Sequence, residues 1–201
     1  MEQAREGLPA PQPQEEAAGG EQAAGARIQR IYARDYAGLC ATAHGILGES
    51  ALAQDAVQNA WLRLSNPRTL AGLDTSDETR LRSLVQITVR NAAYNLRRST
   101  KHEQTIPDES WEAIPDEARG PAGRLEQKDA LRALKSALRR LEEVDQSILL
   151  LQYDNGCTGR QIAALLGLRE AAVRKRAERA KKKLKSLLLE GGAFDEKGFR
   201  V

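Results

Sequence analysis

The sequence predicts an all-α protein built as two small helical domains joined by a flexible acidic linker. Aromatic residues make up only 4% of the 201 residues. Gly and Pro fall outside any strand-and-turn rhythm, and the good helix formers Ala, Leu, Arg, Glu and Gln dominate. Apolar residues recur every three or four positions within segments, the spacing of one helix face. A chain of this length can bury one ordinary core or two modest ones.

Residues 1–25 carry Gln, Ala, Glu, Gly and Pro with almost nothing to bury, which predicts a disordered N-terminal tail. From Ile28 the pattern changes. Ile28, Ile31, Tyr32, Leu39, Ala43, Ile46 and Leu47 mark a first amphipathic helix that stops at Gly48. Ser50 is positioned to cap a second, whose stripe is Leu52, Ala56, Val57, Ala60, Trp61 and Leu64. Asp55, Gln58, Asn59 and Arg63 fall off that stripe and are expected to face outward. Pro67 to Thr79 reads as a polar loop, long for so small a domain. A third helix follows from about Glu78 to Ser99, with Leu81, Leu84, Val85, Thr88, Val89, Ala92 and Leu96 inward and Arg82, Arg90, Arg97 and Arg98 outside. Residues 26–100 thus form one expected domain.

Residues 101–124 combine six carboxylates with three prolines and two glycines and predict a linker. The second expected domain spans 125–190, and 191–201 is a tail. Its first helix carries Leu131, Leu134, Leu138 and Leu141, and its second the run Ile148 to Leu151, ended by Asn155-Gly156. Two more helices, Thr158 to Leu166 and Arg169 to about Leu189, meet at Gly167, which is the outline of a helix-turn-helix. Val173, Ala177 and Ala180 face inward on the last of them.

The net charge of +3 is small, yet the last helix sets Arg169, Arg174, Lys175, Arg176, Arg179, Lys181, Lys182, Lys183 and Lys185 against only Glu170 and Glu178. Such density is an electrostatic footprint for phosphate. The second helix of a helix-turn-helix enters the major groove by its N-terminal residues. That places Arg169, Glu170, Ala171, Arg174 and Lys175 nearest the base edges, where cations can donate to guanine and a carboxylate can accept from cytosine. Arg176 and Arg179 suit phosphates.

The segment QSILLLQYDNGCTGRQIAALLGLREAAVRKRAERAKKKLKSLL resembles region 4 of the extracytoplasmic-function class of sigma-70-family sigma factors. ILGESALAQDAVQNAWLRL and LRSLVQITVRNAAYNLRRS resemble two parts of region 2 of the same class, the segment that docks on polymerase and the promoter-melting helix. The resemblance implies core RNA polymerase and promoter DNA as partners, and it admits an anti-sigma protein. It assigns Asp55, Gln58, Asn59 and Arg63 to polymerase, and Arg90, Asn91, Tyr94, Asn95, Arg97 and Arg98 to the −10 element. The loop Pro67 to Thr79 falls where a flipped base is captured, and the helix-turn-helix is assigned to the −35 duplex. Three positions depart from the family: Leu84 stands where Trp is frequent, Asn59 where an acidic residue is common, and Arg169 where a capping Ser or Thr is usual.

Two other readings differ in what they require. A stand-alone helix-turn-helix regulator would bind duplex DNA without polymerase. An enzyme acting on nucleic acid would need a carboxylate cluster, for which Asp74, Asp77 and Glu78 are the available candidates. The resemblance implies no enzyme activity and no cofactor. Cys40 and His44 lie one helical turn apart but supply two ligands where a structural zinc takes four. Cys40 and Cys157 read as small apolar core residues. No apolar run approaches the roughly 20 residues that cross a bilayer, and the N-terminus lacks a signal-peptide pattern, so a cytoplasmic protein without membrane insertion is expected.

Overall fold

The computed structural model describes the backbone of residues 13–100 and 124–190, with side chains from residue 20 and from residue 130 respectively. All regular structure among the described residues is helical. The elements are α1 (Pro13–Leu47), α2 (Ser50–Leu64), α3 (Pro67–Leu70), α4 (Glu78–Thr100), α5 (Arg124–Arg139), α6 (Glu143–Tyr153), α7 (Gly159–Leu166) and α8 (Glu170–Glu190). The expected C-terminal tail lies outside the described residues, as does the expected linker apart from Arg124.

α1 begins at Pro13, so residues 13–25, expected as tail, are instead its opening turns. Ala, Glu and Gln favour a helix even where little is buried, and proline is pre-set for a first turn. Ala24 is buried, and a Cβ on Gly25 would touch Leu70 at 3.7 Å. The chain leaves α1 through Gly48 at φ +73, a conformation that favours glycine. Ser50 does not cap α2. Glu49 occupies the cap position without a side-chain bond, and Ser50 is the first helical residue.

α1, α2 and α4 pack around Ile28, Leu39, Ala43, Ala56, Val57, Leu64, Leu84, Val85 and Val89. The polar loop between α2 and α4 is partly helical. Asn66 accepts from Arg68 N–H at 2.9 Å and starts α3. Asp77 accepts from the N–H groups of Thr79 and Arg80 at 2.9 and 3.2 Å and starts α4.

Thr158 and Gln161 close a reciprocal capping box at the start of α7, and Gly167 at φ +69 turns the chain into α8. Val173, Ala177 and Ala180 are buried under α8 as the spacing predicts. On the far side, Ala137 and Leu138 of α5 and Leu141 just after it pack with Leu149, Ala180 and Leu187. The larger core is shared between the two halves of the chain. Val144, Ile148, Leu151, Ile162, Leu165 and Leu166 belong to the same apolar cluster as the α1, α2 and α4 residues.

Cys157 is buried and Cys40 half-buried. Burial pushes the Cys157 thiol up to about 12, because an apolar surround disfavours the thiolate. A thiol-reactive dye at pH 8 is expected to label Cys40 readily and Cys157 only after denaturation. Thr158→Ala removes one partner of the capping box and is expected to cost about 1 kcal/mol, read from urea unfolding.

Candidate nucleic-acid interface

α8 presents its cations as the sequence requires, with two exceptions. Arg169, Arg174, Lys175, Arg179, Lys182, Lys183 and Lys185 are exposed, as are Glu170 and Ala171. Arg169 holds the N-cap position through its backbone, its carbonyl accepting from Ala172 and Val173 N–H at 2.9 and 3.1 Å. The Glu170 side chain leans over Gly159 at the start of α7. Lys181 is half-buried, donating to Glu178 at 3.2 Å and lying 5.6 Å from the Tyr153 ring centroid, and Arg176 is engaged across helices. Its Nη1 donates to Asp145 at 2.7 Å and to Glu142 at 3.3 Å, tying α8 to the start of α6. The bond to Asp145 raises its already high pKa. Arg176 is thereby engaged by carboxylates rather than presented to phosphate.

On α2, Asp55, Gln58 and Asn59 are exposed on one face. Leu62 continues that face and is 68% exposed. It was not singled out from the sequence, although a leucine seven residues after Asp55 and four after Gln58 lies off the apolar stripe by spacing alone. Arg63 is not part of this face. Its Nη1 donates to the Leu165 carbonyl at 3.3 Å, and its guanidinium lies against Gly167. Burial lowers its pKa. The helix-turn-helix packs where Arg63 would otherwise reach solvent.

The α4 residues expected to read single-stranded bases are drawn together and largely covered. Asn91 is buried, its Nδ2 donating to the Ile87 carbonyl at 3.2 Å and to Ser147 Oγ on α6 at 2.5 Å. Tyr94 is 2% exposed. The guanidinium carbons of Arg97 and Arg90 stand 4.9 and 6.0 Å from its ring centroid. Arg97 and Arg98 approach Glu143 at 3.8 and 3.9 Å. Asn95 and Arg90 are half-buried. An outward-facing set is thus replaced, in this structure, by one turned toward α6. The sequence signal for that was Ser147, a polar residue next to Ile148 and one turn from Leu151 on a helix rich in buried residues.

The acidic candidates of the loop have structural partners. Asp74 accepts from the backbone N–H and the hydroxyl of Ser76 at 2.9 and 2.7 Å, and these bonds lower its pKa. Asp77 caps α4. Glu78 pairs with Arg34 at 2.8 Å, which lowers its pKa. Among the described residues no group of three or more Cys, His, Asp or Glu side chains is placed to hold a metal ion. No helix among them is long and apolar enough to cross a membrane.

Residues 131–184 match the family model described as Sigma-70, region 4. This interval covers most of α5 and α8 and all of α6 and α7, the helices that carry the exposed basic face. The chain thus carries a segment similar to region 4 of the sigma-70 family. It is similar to the probable RNA polymerase sigma factor RfaY of Xanthomonas campestris pv. campestris, with 35% identity over 142 residues. The similarity covers 69% of this chain and 34% of that protein, so the chain spans about a third of the length of the relative it matches.

Because Arg176 bridges helices and Arg174 faces solvent, their truncations are expected to differ in kind. Arg176→Ala should lower stability by about 1–2 kcal/mol, as for the loss of a hydrogen bond to a charged group. Arg174→Ala should change it by less than about 0.5 kcal/mol. Urea titration of the two variants checks the difference.

Proposed function

We propose that this chain is a sigma factor of the extracytoplasmic-function class, which binds core RNA polymerase and directs promoter recognition and transcription initiation. It performs no covalent chemistry. The observation that carries the reading is the joint occurrence of a region 4 match at residues 131–184 and a similarity to a sigma factor extending over 142 residues. That extent is more than twice the length of region 4 as matched, so the likeness reaches beyond the helix-turn-helix. A stand-alone regulator would account for region 4 alone.

In this reading the exposed face of α2, with Asp55, Gln58, Asn59 and Leu62, meets polymerase. A mixed polar and apolar face of this kind suits a protein partner. The N-terminal turns of α8 meet the −35 duplex, where Arg174 and Lys175 can donate to base edges and Arg169 and Arg179 can neutralise phosphates. α4 meets the −10 element as single-stranded DNA, through the Tyr94 ring, the amides of Asn91 and Asn95, and the cations Arg90, Arg97 and Arg98. The site of action is cytoplasmic, and an anti-sigma protein is a further partner consistent with this arrangement.

Run-off transcription with core polymerase on a promoter library tests the reading. The wild-type chain is expected to give start-site-directed transcripts that core alone does not. Replacing both Arg174 and Lys175 by Glu should reduce them at least about tenfold, the effect of losing one or two base contacts of ~1–3 kcal/mol each, while leaving core binding intact. Asp55→Arg should weaken core binding and leave binding of the isolated chain to duplex DNA unchanged. Tight, specific duplex binding by the chain alone, with no stimulation of core, would instead identify a stand-alone regulator.

A further inference from the structure

Which side chains of α8 can meet base edges depends on how that helix is turned about its own axis. Val173, Ala177 and Ala180 form the part of its buried stripe nearest the exposed basic residues. α6 packs against this stripe: Ile148 and Leu151 share one apolar cluster with Val173 and Ala177, and Leu149 shares another with Ala180. Two of the three stripe residues are alanines. A methyl group permits close approach but interlocks little with the helix it rests on, so apolar packing alone specifies the rotation of α8 weakly.

Two contacts flank the stripe. On one side Arg176 Nη1 donates to Asp145 Oδ1 at 2.7 Å and to Glu142 Oε2 at 3.3 Å, at the start of α6. The Asp145 side chain is only 13% exposed, so its pair with Arg176 is screened less than a surface pair. On the other side the Lys181 ammonium stands 5.6 Å from the ring centroid of Tyr153, the last residue of α6, and also donates to Glu178 at 3.2 Å. A cation at that distance from an aromatic ring is attracted to its face. At about 100° per residue, Arg176 and Lys181 lie about 140° apart on the helix circumference, with Val173, Ala177 and Ala180 between them. Opposite ends of α6 thus grip α8 at both edges of its buried face.

We propose that Arg176 is a positioning residue for sequence reading: tied to Asp145, and opposed across the buried stripe by Lys181 on Tyr153, it sets the rotation of α8 that aims Arg174 and Lys175 at base edges. The proposal rests on the reading of α8 as the helix that meets the −35 duplex. Recognition groups must be held to within about 10–20° of their productive orientation. Arg174 and Lys175 precede Arg176 by two residues and one, so a turn of the helix at Arg176 passes directly to them. Arg176 itself touches carboxylates. Its loss therefore lowers discrimination between sequences more than affinity for DNA in general. A phosphate contact at this position would act in the opposite way, weakening binding to all sequences alike and reducing its salt dependence.

Selection of a randomised duplex library by the full chain bound to core polymerase reads the base preference, and titration of one selected duplex at several salt concentrations reads the phosphate contacts. Asp145→Asn leaves every proposed DNA contact in place and adds positive charge. It is nevertheless expected to flatten the preference at the positions read by α8 about threefold or more, without lowering affinity for non-selected duplex. Arg176→Gln is expected to flatten it likewise with an unchanged salt slope, and Arg176→Lys, which can still pair with Asp145, to retain more of it than Arg176→Gln. Should the Asp145 and Arg176 variants fail to fold, Tyr153→Leu, at a position 66% exposed on the other flank, is expected to flatten the preference about twofold. Unchanged preference in a folded Asp145→Asn, or in Tyr153→Leu where it stands in, overturns the proposal. So does a salt slope that falls by about one in Arg176→Gln with the preference intact, the signature of a phosphate contact. Failure of the sigma-factor reading has a different signature: wild type does not bind core polymerase, and the same selection by the chain alone then carries the comparison among variants.

Discussion

The arrangement depends on the burial of α7. This helix is eight residues long and could not persist alone, because nucleation costs more than so few hydrogen bonds return. It is held by being buried on two sides at once, against α6 and α8 and against α2, α3 and α4. Ile162, Leu165 and Leu166 supply the apolar contact. Gln161 completes the capping box that starts the helix, and its amide also fastens the loop of the N-terminal half. One side chain therefore helps to set both the start of the helix-turn-helix and its seat on the rest of the molecule. Gly167 then turns the chain into α8, so the basic helix follows directly from a buried one.

Cations in this chain are divided between holding the fold and remaining available. Arg34 and Arg82 meet Asp35, and Arg34 also meets Glu78, lacing α1 to α4 at the surface. Such exposed pairs contribute little individually. Arg176 and Arg63 are more deeply engaged, the first by carboxylates and the second by a backbone carbonyl. The exposed remainder of α8 keeps a dense positive face, and its attraction for nucleic acid is correspondingly sensitive to salt.

Much of this was legible in the amino-acid order. The helices of both halves follow the apolar spacing, Gly48 and Gly167 mark the turns where glycine is needed, and the basic face of α8 is displayed as its spacing requires. What escaped the sequence has identifiable causes. Residues 13–25 are helical because propensity and a continuing helix outweigh their sparse apolar content, which a composition test does not weigh. Arg63 and Arg176 belong by spacing to outward faces, but their long side chains reach partners supplied by elements about a hundred and about thirty residues away. Asn91 and Tyr94 face α6 rather than solvent because Ser147 offers Asn91 a hydrogen-bond partner inside the seam. No local periodicity specifies how two amphipathic halves meet, since the same apolar residues serve a separate core or a shared one.

The bond from Arg63 to the Leu165 carbonyl spans 102 positions of sequence. It cannot form until the ribosome has added the residues between them, which at common elongation rates takes roughly 5–20 s. α1, α2 and α4 are complete well before that. Each newly made molecule therefore passes through an interval in which the aromatic and cationic side of α4 exists without its cover.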